Sequence, residues 1–167
     1  MNHDFEMEKI ILNSFGVAPQ LHTKNIAIIF NDKEIPNTEI IDHHCFNNDV
    51  KFSLIDIDKG EIILSMEFYK SRNERAFNSW GTYTLGLLHI YDPAFRRIGI
   101  GTFYINKLKE YMLKNDGTTI SIIANPSNDM LKNESEPRVS IQELVDYYES
   151  FSDEDIKIKV LSKKVFP

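Results

Sequence analysis

Apolar residues recur every three or four positions in three segments of the chain, the spacing that places them on one face of a helix. The first segment spans residues 4–15. The second begins near Ile100 and is closed by Asn115-Asp116-Gly117. The third has Ser140 as its cap and Glu143 three residues later, which is a capping-box pattern. We therefore predict three amphipathic helices.

Short apolar or alternating runs, bounded by turn residues, predict β-strands between and after these segments. Three of the runs are consecutive, which predicts an antiparallel sheet. The run after the second helix completes a strand–helix–strand unit, so we expect a right-handed crossover to a parallel strand. The pattern thus predicts a mixed α/β fold, with irregular structure at residues 33–49. The predicted strands are Ile26–Phe30, Phe52–Ile57, Glu61–Tyr69, Thr82–Tyr91, Thr119–Ala124 and Ile156–Leu161.

The composition narrows the class of protein. The 167 residues fit one domain, 42% of them are hydrophobic, and the formal net charge is -6. An acidic excess disfavours nucleic-acid binding through phosphate contacts and favours cationic partners. The single cysteine, Cys45, excludes an internal disulfide, and no apolar run reaches the roughly 20 residues of a membrane span. We expect a cytoplasmic protein that binds neither nucleic acid nor membrane.

The stretch Arg96–Thr102 lies between a predicted strand and the second predicted helix. Its pair of glycines would let backbone N–H groups approach an anion at the start of that helix. The two arginines and the threonine hydroxyl of the stretch would strengthen such a site. A dinucleotide-binding fingerprint needs a third glycine, and a Walker loop needs Gly-Lys-Ser/Thr; the stretch has neither. The interpretations left are a phosphate or pyrophosphate site and a plain tight turn.

The sequence Arg96-Arg97-Ile98-Gly99-Ile100-Gly101 resembles the acetyl-CoA loop of the GCN5-related N-acetyltransferase (GNAT) family, whose pattern is Arg/Gln-x-x-Gly-x-Gly/Ala. The Asp92-Pro93 pair before it, and the order of elements from Val50 to Val160, also resemble that family. The resemblance implies antiparallel second to fourth strands, then a βαβ crossover, with the family's fourth and fifth strands splayed around acetyl-CoA. It also implies a single N-acetyltransferase-like domain over residues 1–167, variable over residues 1–50.

The resemblance further implies which residues bind the cosubstrate, acetyl-CoA. Its pyrophosphate would meet the backbone amides of the glycine-containing loop. Its acetyl carbonyl would accept a hydrogen bond from a backbone amide near the end of the preceding strand. The expected set is Ile90, Tyr91, Arg96, Arg97, Ile98, Gly99, Ile100, Gly101, Thr102 and Asn125.

Acetyl transfer to an amine needs an acid for the departing thiolate and a base for the ammonium proton. Family members often use a tyrosine within an aromatic-Tyr-acidic pattern as the acid. Tyr147-Tyr148-Glu149 matches that pattern and puts Tyr148 in the catalytic position, although both tyrosines could instead be core residues. The Gly-Phe corner that usually follows in the family is absent here. Glu67 and His89 are the candidate bases, and solvent is the alternative to both.

Two further polar clusters carry weaker signals. His43-His44-Cys45 resembles a metal cluster only superficially, because neighbours in a strand face opposite sides and no second Cys/His pair follows at zinc spacing. We therefore expect no metal. Asp153-Glu154-Asp155 forms either a solvated turn or an acidic rim for a cationic substrate.

Together these features predict an acyl-CoA-dependent N-acetyltransferase that moves an acetyl group to a primary amine by direct attack. The acceptor would be a small-molecule amine or a protein lysine, and residues 1–50 would form its wall or a homodimer contact. The alternative is a non-catalytic acyl-CoA-binding or protein-interaction module on the same fold. The part from Ala124 to Tyr148 also resembles a small phage anti-CRISPR acetyltransferase, which adds counter-defence as a hypothesis.

Overall fold

The computed structural model describes residues 2–34, 42–71, 80–124 and 140–162. Its helices are α1 (Phe5–Ile10), α2 (Ile100–Lys114) and α3 (Ile141–Glu149). Within the described residues the strands are β1 (Ile26–Ile29), β2 (His44–Phe46), β3 (Asp49–Asp56), β4 (Glu61–Lys70), β5 (Thr82–Ile90), β6 (Thr119–Ala124) and β7 (Lys157–Ser162).

All seven of these strands join one mixed sheet, so the predicted mixed α/β class is confirmed. The order across the sheet is β1-β3-β4-β5-β6-β7, and β2 pairs with β3 beyond the end of β1. Pairing is antiparallel from β3 to β5 and parallel between β5 and β6, as the pattern predicts. β7 also pairs in parallel with β6, across the α3 crossover. The pattern does not predict β2, because three residues are too few to reveal an alternation.

The first helix changes its winding before it ends. After α1 the chain makes one wider π-helical turn, Ile11–Phe15, and Gly16 ends it with a φ of 63°. The wider turn places Phe15 on the sheet, where its ring stacks on that of Phe68 with the centroids 5.8 Å apart. This first helical segment is thereby fixed to the centre of the core.

The three helices cover one face of the sheet, where they share a single buried cluster with β3, β4, β5 and β6. Tyr104 of α2 connects this cluster to the N-terminal segment, because its hydroxyl donates to the Gly16 carbonyl at 2.9 Å and accepts from the Ala18 amide at 3.3 Å. The largest fully buried side chains are Tyr83, Tyr104, Phe52, Phe68, Ile11 and Leu21.

A hydrogen bond and an ion pair made by Lys109 of α2 fix the segment after α3 beside α2. The ammonium of Lys109 donates to the Phe151 carbonyl at 2.7 Å and forms an ion pair with Asp153. One oxygen of Asp153 also accepts from the backbone amides of Asp155, at 3.0 Å, and Ile156, at 2.8 Å. The Asp153 carboxylate is therefore used within the fold, as the turn interpretation of Asp153-Glu154-Asp155 expects; an acidic rim for a cationic substrate stays a prediction.

We expect Asp153→Asn to destabilise the protein at neutral pH by up to about 1 kcal/mol, a modest value because the Asp153 side chain is 47% exposed. The hydrogen bond from Lys109, followed by those from the Ile156 and Asp155 backbone, lowers the pKa of Asp153 to about 2. The stabilisation is therefore complete above the unfolded-state pKa of about 4 and is lost as pH falls towards 2. Thermal melts from pH 7 to pH 2 test this, with Glu154→Gln as the control. A destabilisation by Asp153→Asn that persists at pH 2 contradicts it.

Candidate active site

The sheet divides between β5 and β6. The two strands pair only from Thr82–Thr119 to Leu85–Ile122. Beyond that point β5 stays paired with β4 up to Ile90, and β6 stays paired with β7 up to Ala124. The two halves of the sheet therefore separate at their ends, and the predicted splay of these strands is confirmed.

A β-bulge at Gly86 marks the start of this gap. The register moves from Phe68↔Leu85 to Glu67↔Leu87, which leaves Gly86 as the extra residue of β5. A Cβ atom at Gly86 would lie 3.0 Å from a Glu67 carboxylate oxygen and 3.5 Å from the Tyr69 ring. Glycine is thus needed here for space, since it lets Glu67 lie against the backbone where the strands part.

The Arg96–Thr102 loop leads from the end of β5 into α2. Gly99 is the residue before the helix and has a φ of 92°, a left-handed conformation that favours glycine. Arg97 also has a positive φ, 61°. The first amides of a helix have no acceptor within that helix, and those of Ile100, Gly101 and Thr102 find none elsewhere in the described part of the chain. The loop therefore ends in a group of free N–H donors at the positive end of the α2 dipole.

The two arginines of the loop have different positions. The guanidinium of Arg96 donates to the Ile90 carbonyl through Nε at 3.0 Å and Nη2 at 2.9 Å, and to the Tyr91 carbonyl at 3.4 Å. Arg97 is exposed. Arg96 thus holds the end of β5, whereas Arg97 extends into solvent; that both arginines meet a phosphate stays a prediction.

The two amides expected to hold an acetyl carbonyl also differ. The Tyr91 amide donates to the Ile63 carbonyl of β4 at 2.9 Å and is therefore committed. Hydrogen bonds alternate along an antiparallel strand, so the amide of Ile90 points away from β4 and into the gap. Of the two expected donors, Ile90 is therefore the one that faces the gap. The buried hydroxyl of Tyr91 has no hydrogen-bond partner among the described residues, an uncommon state for a buried polar group.

The N-terminal segment contacts the loop through Gln20. Its side-chain amide donates to the Ile98 carbonyl at 3.0 Å. The same nitrogen would lie 2.9 Å from a Cβ atom at Gly99. The expectation that residues 1–50 form a wall of the site fits this contact, although the sequence carries no motif that singles out Gln20.

The neighbouring tyrosines of α3 have different surroundings. Tyr148 is only 9% exposed and belongs to the core cluster, and burial raises the pKa of its phenol to about 12. Tyr147 is 37% exposed and its hydroxyl lies 3.2 Å from the Thr102 hydroxyl. A Cβ atom at Gly101 would lie 3.2 Å from the same Tyr147 oxygen. The structure therefore brings Tyr147 to the start of α2, whereas the sequence pattern puts Tyr148 in the catalytic position.

The candidate bases lie on the face of the sheet opposite the helices. Glu67 and His89 alternate with residues of the core cluster on β4 and β5, so their side chains face away from it. The His89 ring contacts the Tyr91 ring at a centroid distance of 4.5 Å. The strand gap thus lies between loop amides on the helix side and titratable groups on the other side. Asn125 lies outside the described residues.

Within residues 2–34, 42–71, 80–124 and 140–162, no group of three or more His, Cys, Asp or Glu side chains is arranged to hold a metal ion. None of the helices in these ranges is both long and apolar enough to cross a bilayer. Cys45 is buried, and burial raises the pKa of its thiol to about 12.

Comparisons with known proteins give only a distant likeness. No protein-family model and no curated protein matches the chain. Two solved structures of an aminoglycoside acetyltransferase from an uncultured soil metagenomic sample are similar to it at 17% identity. The complex with trehalose has a TM-score of 0.43 and covers 70% of this chain and 91% of its own. The complex with sisomicin has a TM-score of 0.44 and covers 72% and 95%.

Similarity at this level assigns no function to the chain. The matches also give no support to the resemblance between the C-terminal part and a phage anti-CRISPR acetyltransferase. Much of that resemblance falls on residues 125–139, outside the described residues.

Arg96→Lys is expected to destabilise the protein by about 1–2 kcal/mol, because lysine keeps the charge but cannot donate from two nitrogens to the Ile90 carbonyl oxygen. Denaturant unfolding measures the change. Arg97→Lys is the matched control and should leave stability unchanged, since Arg97 is exposed. Equal losses in the two variants would contradict the anchoring role of Arg96.

Proposed function

We propose that the protein is an acyl-CoA-dependent N-acetyltransferase that moves an acetyl group from acetyl-CoA to a primary amine by direct attack. The observation that carries the proposal is the gap between β5 and β6, which lies beside the free amides at the start of α2. A thioester donor of this kind has a pyrophosphate and an amide-containing arm. Free N–H groups suit the former, and an unpaired strand edge suits the latter.

Each part of the site has a role in this proposal. The amides of Ile100, Gly101 and Thr102 bind the pyrophosphate, and exposed Arg97 adds positive charge beside them. The arm follows the free edge of β5, where the Ile90 amide donates to the acetyl oxygen and stabilises negative charge as it develops there. Arg96 does not bind the ligand in this scheme; it keeps β5 in position for it.

The chemistry requires two proton transfers. The amine nitrogen attacks the acetyl carbon, the carbon–sulfur bond breaks, and the thiolate takes a proton from an acid while the nitrogen loses one to a base. The phenol of Tyr148, whose pKa burial raises to about 12, is protonated at neutral pH, as an acid must be. Glu67 and His89 remain the proposed bases, on the face of the sheet opposite the helices. The acceptor remains a small-molecule amine or a protein lysine.

Gly99→Asp and Gly101→Glu are each expected to abolish acetyl-CoA binding, because each puts bulk and negative charge where the pyrophosphate would meet the amides. Titration calorimetry measures the affinity. Gly60→Asp is the matched control, since Gly60 also has a positive φ, 69°, and a side chain there would meet open space. Unchanged affinity in both loop variants would contradict the assignment of the loop.

Tyr148→Phe removes only the hydroxyl, so we expect a loss on the order of 10²-fold in kcat with little change in acetyl-CoA affinity. Steady-state release of CoA with a panel of primary amines measures it: spermidine, an aminoglycoside and a lysine peptide. Tyr147→Phe is the paired variant, since it removes the hydroxyl beside Thr102. Full activity in Tyr148→Phe with a defect in Tyr147→Phe would assign the acid to Tyr147.

The same assay tests transfer against the binding-module alternative. A binding module would hold acetyl-CoA in calorimetry but release no CoA with any amine of the panel. CoA release that depends on an amine, and that Gly101→Glu removes, would support the transferase.

A further inference from the structure

A continuous row of hydrogen bonds crosses the sheet face opposite the helices. Asp32 accepts from the His43 ring at Nδ1, with the atoms 2.6 Å apart, and from the His43 backbone amide at 3.0 Å. The other ring nitrogen, Nε2, lies 2.7 Å from the Ser53 hydroxyl, which lies 2.6 Å from the Ser65 hydroxyl. Four side chains from separate parts of the chain are thus joined by three short hydrogen bonds. We call them the polar row.

The burial of the polar row is graded. The side chains of Ser53, Ser65 and His43 are completely buried, whereas that of Asp32 is 42% exposed. Burial opposes the charged form of Asp32, but the hydrogen bonds from the His43 backbone and ring hold its pKa below the ordinary value. The row therefore has a carboxylate at its solvent end and hydroxyls in the interior of the sheet.

With a neutral imidazole at His43, the carboxylate fixes the direction of every hydrogen bond in the polar row. An ionised Asp32 can only accept, so Nδ1 of the neutral ring carries the proton and the bare Nε2 accepts from Ser53. Ser53 has then used its hydrogen and accepts from Ser65. All donors point towards Asp32, and the oxygen of Ser65 keeps a lone pair for a further donor.

The interior end of the row lies beside a candidate base. Ser65 of β4 and His89 of β5 are direct partners in the sheet register and share its polar face. Directly paired residues have Cβ atoms about 5 Å apart. His89 in turn contacts Tyr91, where β5 lines the strand gap. The polar row thus runs from Ser65, which is paired with His89 near the strand gap, to Asp32 at the surface.

An aspartate, a histidine and a serine that are joined in this order by hydrogen bonds also suggest a hydrolytic triad. The burial of the serine argues against one. A nucleophilic serine must reach a substrate carbonyl, yet Ser53 is fully buried and bonded to Ser65 on its far side. Proton transfer needs no such access, because it requires only unbroken hydrogen bonds.

We propose that the polar row is a proton relay that carries the proton of the acceptor ammonium from His89, across a bridging water, through Ser65, Ser53 and His43 to Asp32 and solvent. This rests on the proposed acetyl transfer, and the water is part of the proposal because His89 and Ser65 are register partners without a direct hydrogen bond between their side chains. His89 takes the proton from the amine and gives one to the water, the water passes one of its own to Ser65, Ser65 passes its own to Ser53, and Ser53 passes its own to Nε2 of His43. The proton on Nδ1 then leaves through Asp32. Each hydroxyl gains one proton and loses one, so a single proton crosses the sheet.

Other charged groups lie on this face of the sheet and would influence the titration of the polar row. Lys51 of β3 faces Glu67 of β4 in the sheet register, and His44 of β2 faces Lys51 and bonds to Asp49 at 2.7 Å. The readouts below therefore compare variants at one fixed pH and follow the proton directly.

The relay is tested first by kinetics. Ser65→Ala and His43→Gln are expected to lower kcat on the order of 10- to 100-fold, to leave acetyl-CoA affinity unchanged, and to reduce the solvent deuterium isotope effect on kcat. Added imidazole should restore part of the rate by replacing the lost path, whereas it would not repair a merely structural defect. Ser71→Ala is the control, since it removes a hydroxyl paired only weakly, at 3.4 Å, with Thr84.

The second experiment does not depend on catalysis. Nitrogen NMR of the His43 ring should find the proton on Nδ1 and a bare, accepting Nε2; a proton on Nε2 would overturn the relay. Wild-type CoA release with unchanged kinetics in both Ser65→Ala and His43→Gln would also overturn it and leave the acetyl transfer intact. No CoA release from the wild type with any amine would refute the acetyl transfer itself, and the relay with it.

Discussion

The separation of β5 from β6 beyond the Leu85–Ile122 pair is the constraint on which the candidate site depends. A closed sheet at this point would pair the Ile90 amide with a strand and bury the start of α2 behind it. The bulge at Gly86, with Glu67 packed against its backbone, turns β5 away, and the Arg96 guanidinium holds the end of the turned strand. Local geometry of a few residues thus creates the opening, its donors and its two chemically different sides.

The sequence predicts the regular elements well because their signals are local. The three-to-four spacing of α2, the capping box at Ser140 and the alternation before Ser162 all depend on near neighbours, and the structure confirms each element. The crossover rule extends this to the parallel pairing of β5 with β6. The position of the Arg96–Thr102 loop between strand and helix also follows from the sequence.

Contacts between distant segments could not be predicted in this way. The side chain of Arg96 is chemically suited to a phosphate, and only the folded chain brings the Ile90 carbonyl within its reach. The sequence Tyr147-Tyr148 does not predict which hydroxyl contacts Thr102. Adjacent helical residues differ by a rotation of about 100° around the helix axis, and the packing of the helix decides which one faces Thr102. Asp32 and His43 are polar residues in a region without periodicity, so the polar row emerges only when β3 and β4 place two serines side by side.

The central claim is that an acyl-CoA ligand occupies the gap between β5 and β6 and meets the free amides at the start of α2. The most direct measurement is an amide NMR titration of the protein with acetyl-CoA. The account predicts shifts concentrated at Ile90 and at the residues from Ile98 to Thr102, with the turn at Gly60 unmoved. Shifts confined to other surfaces, or none at saturating ligand, would contradict it.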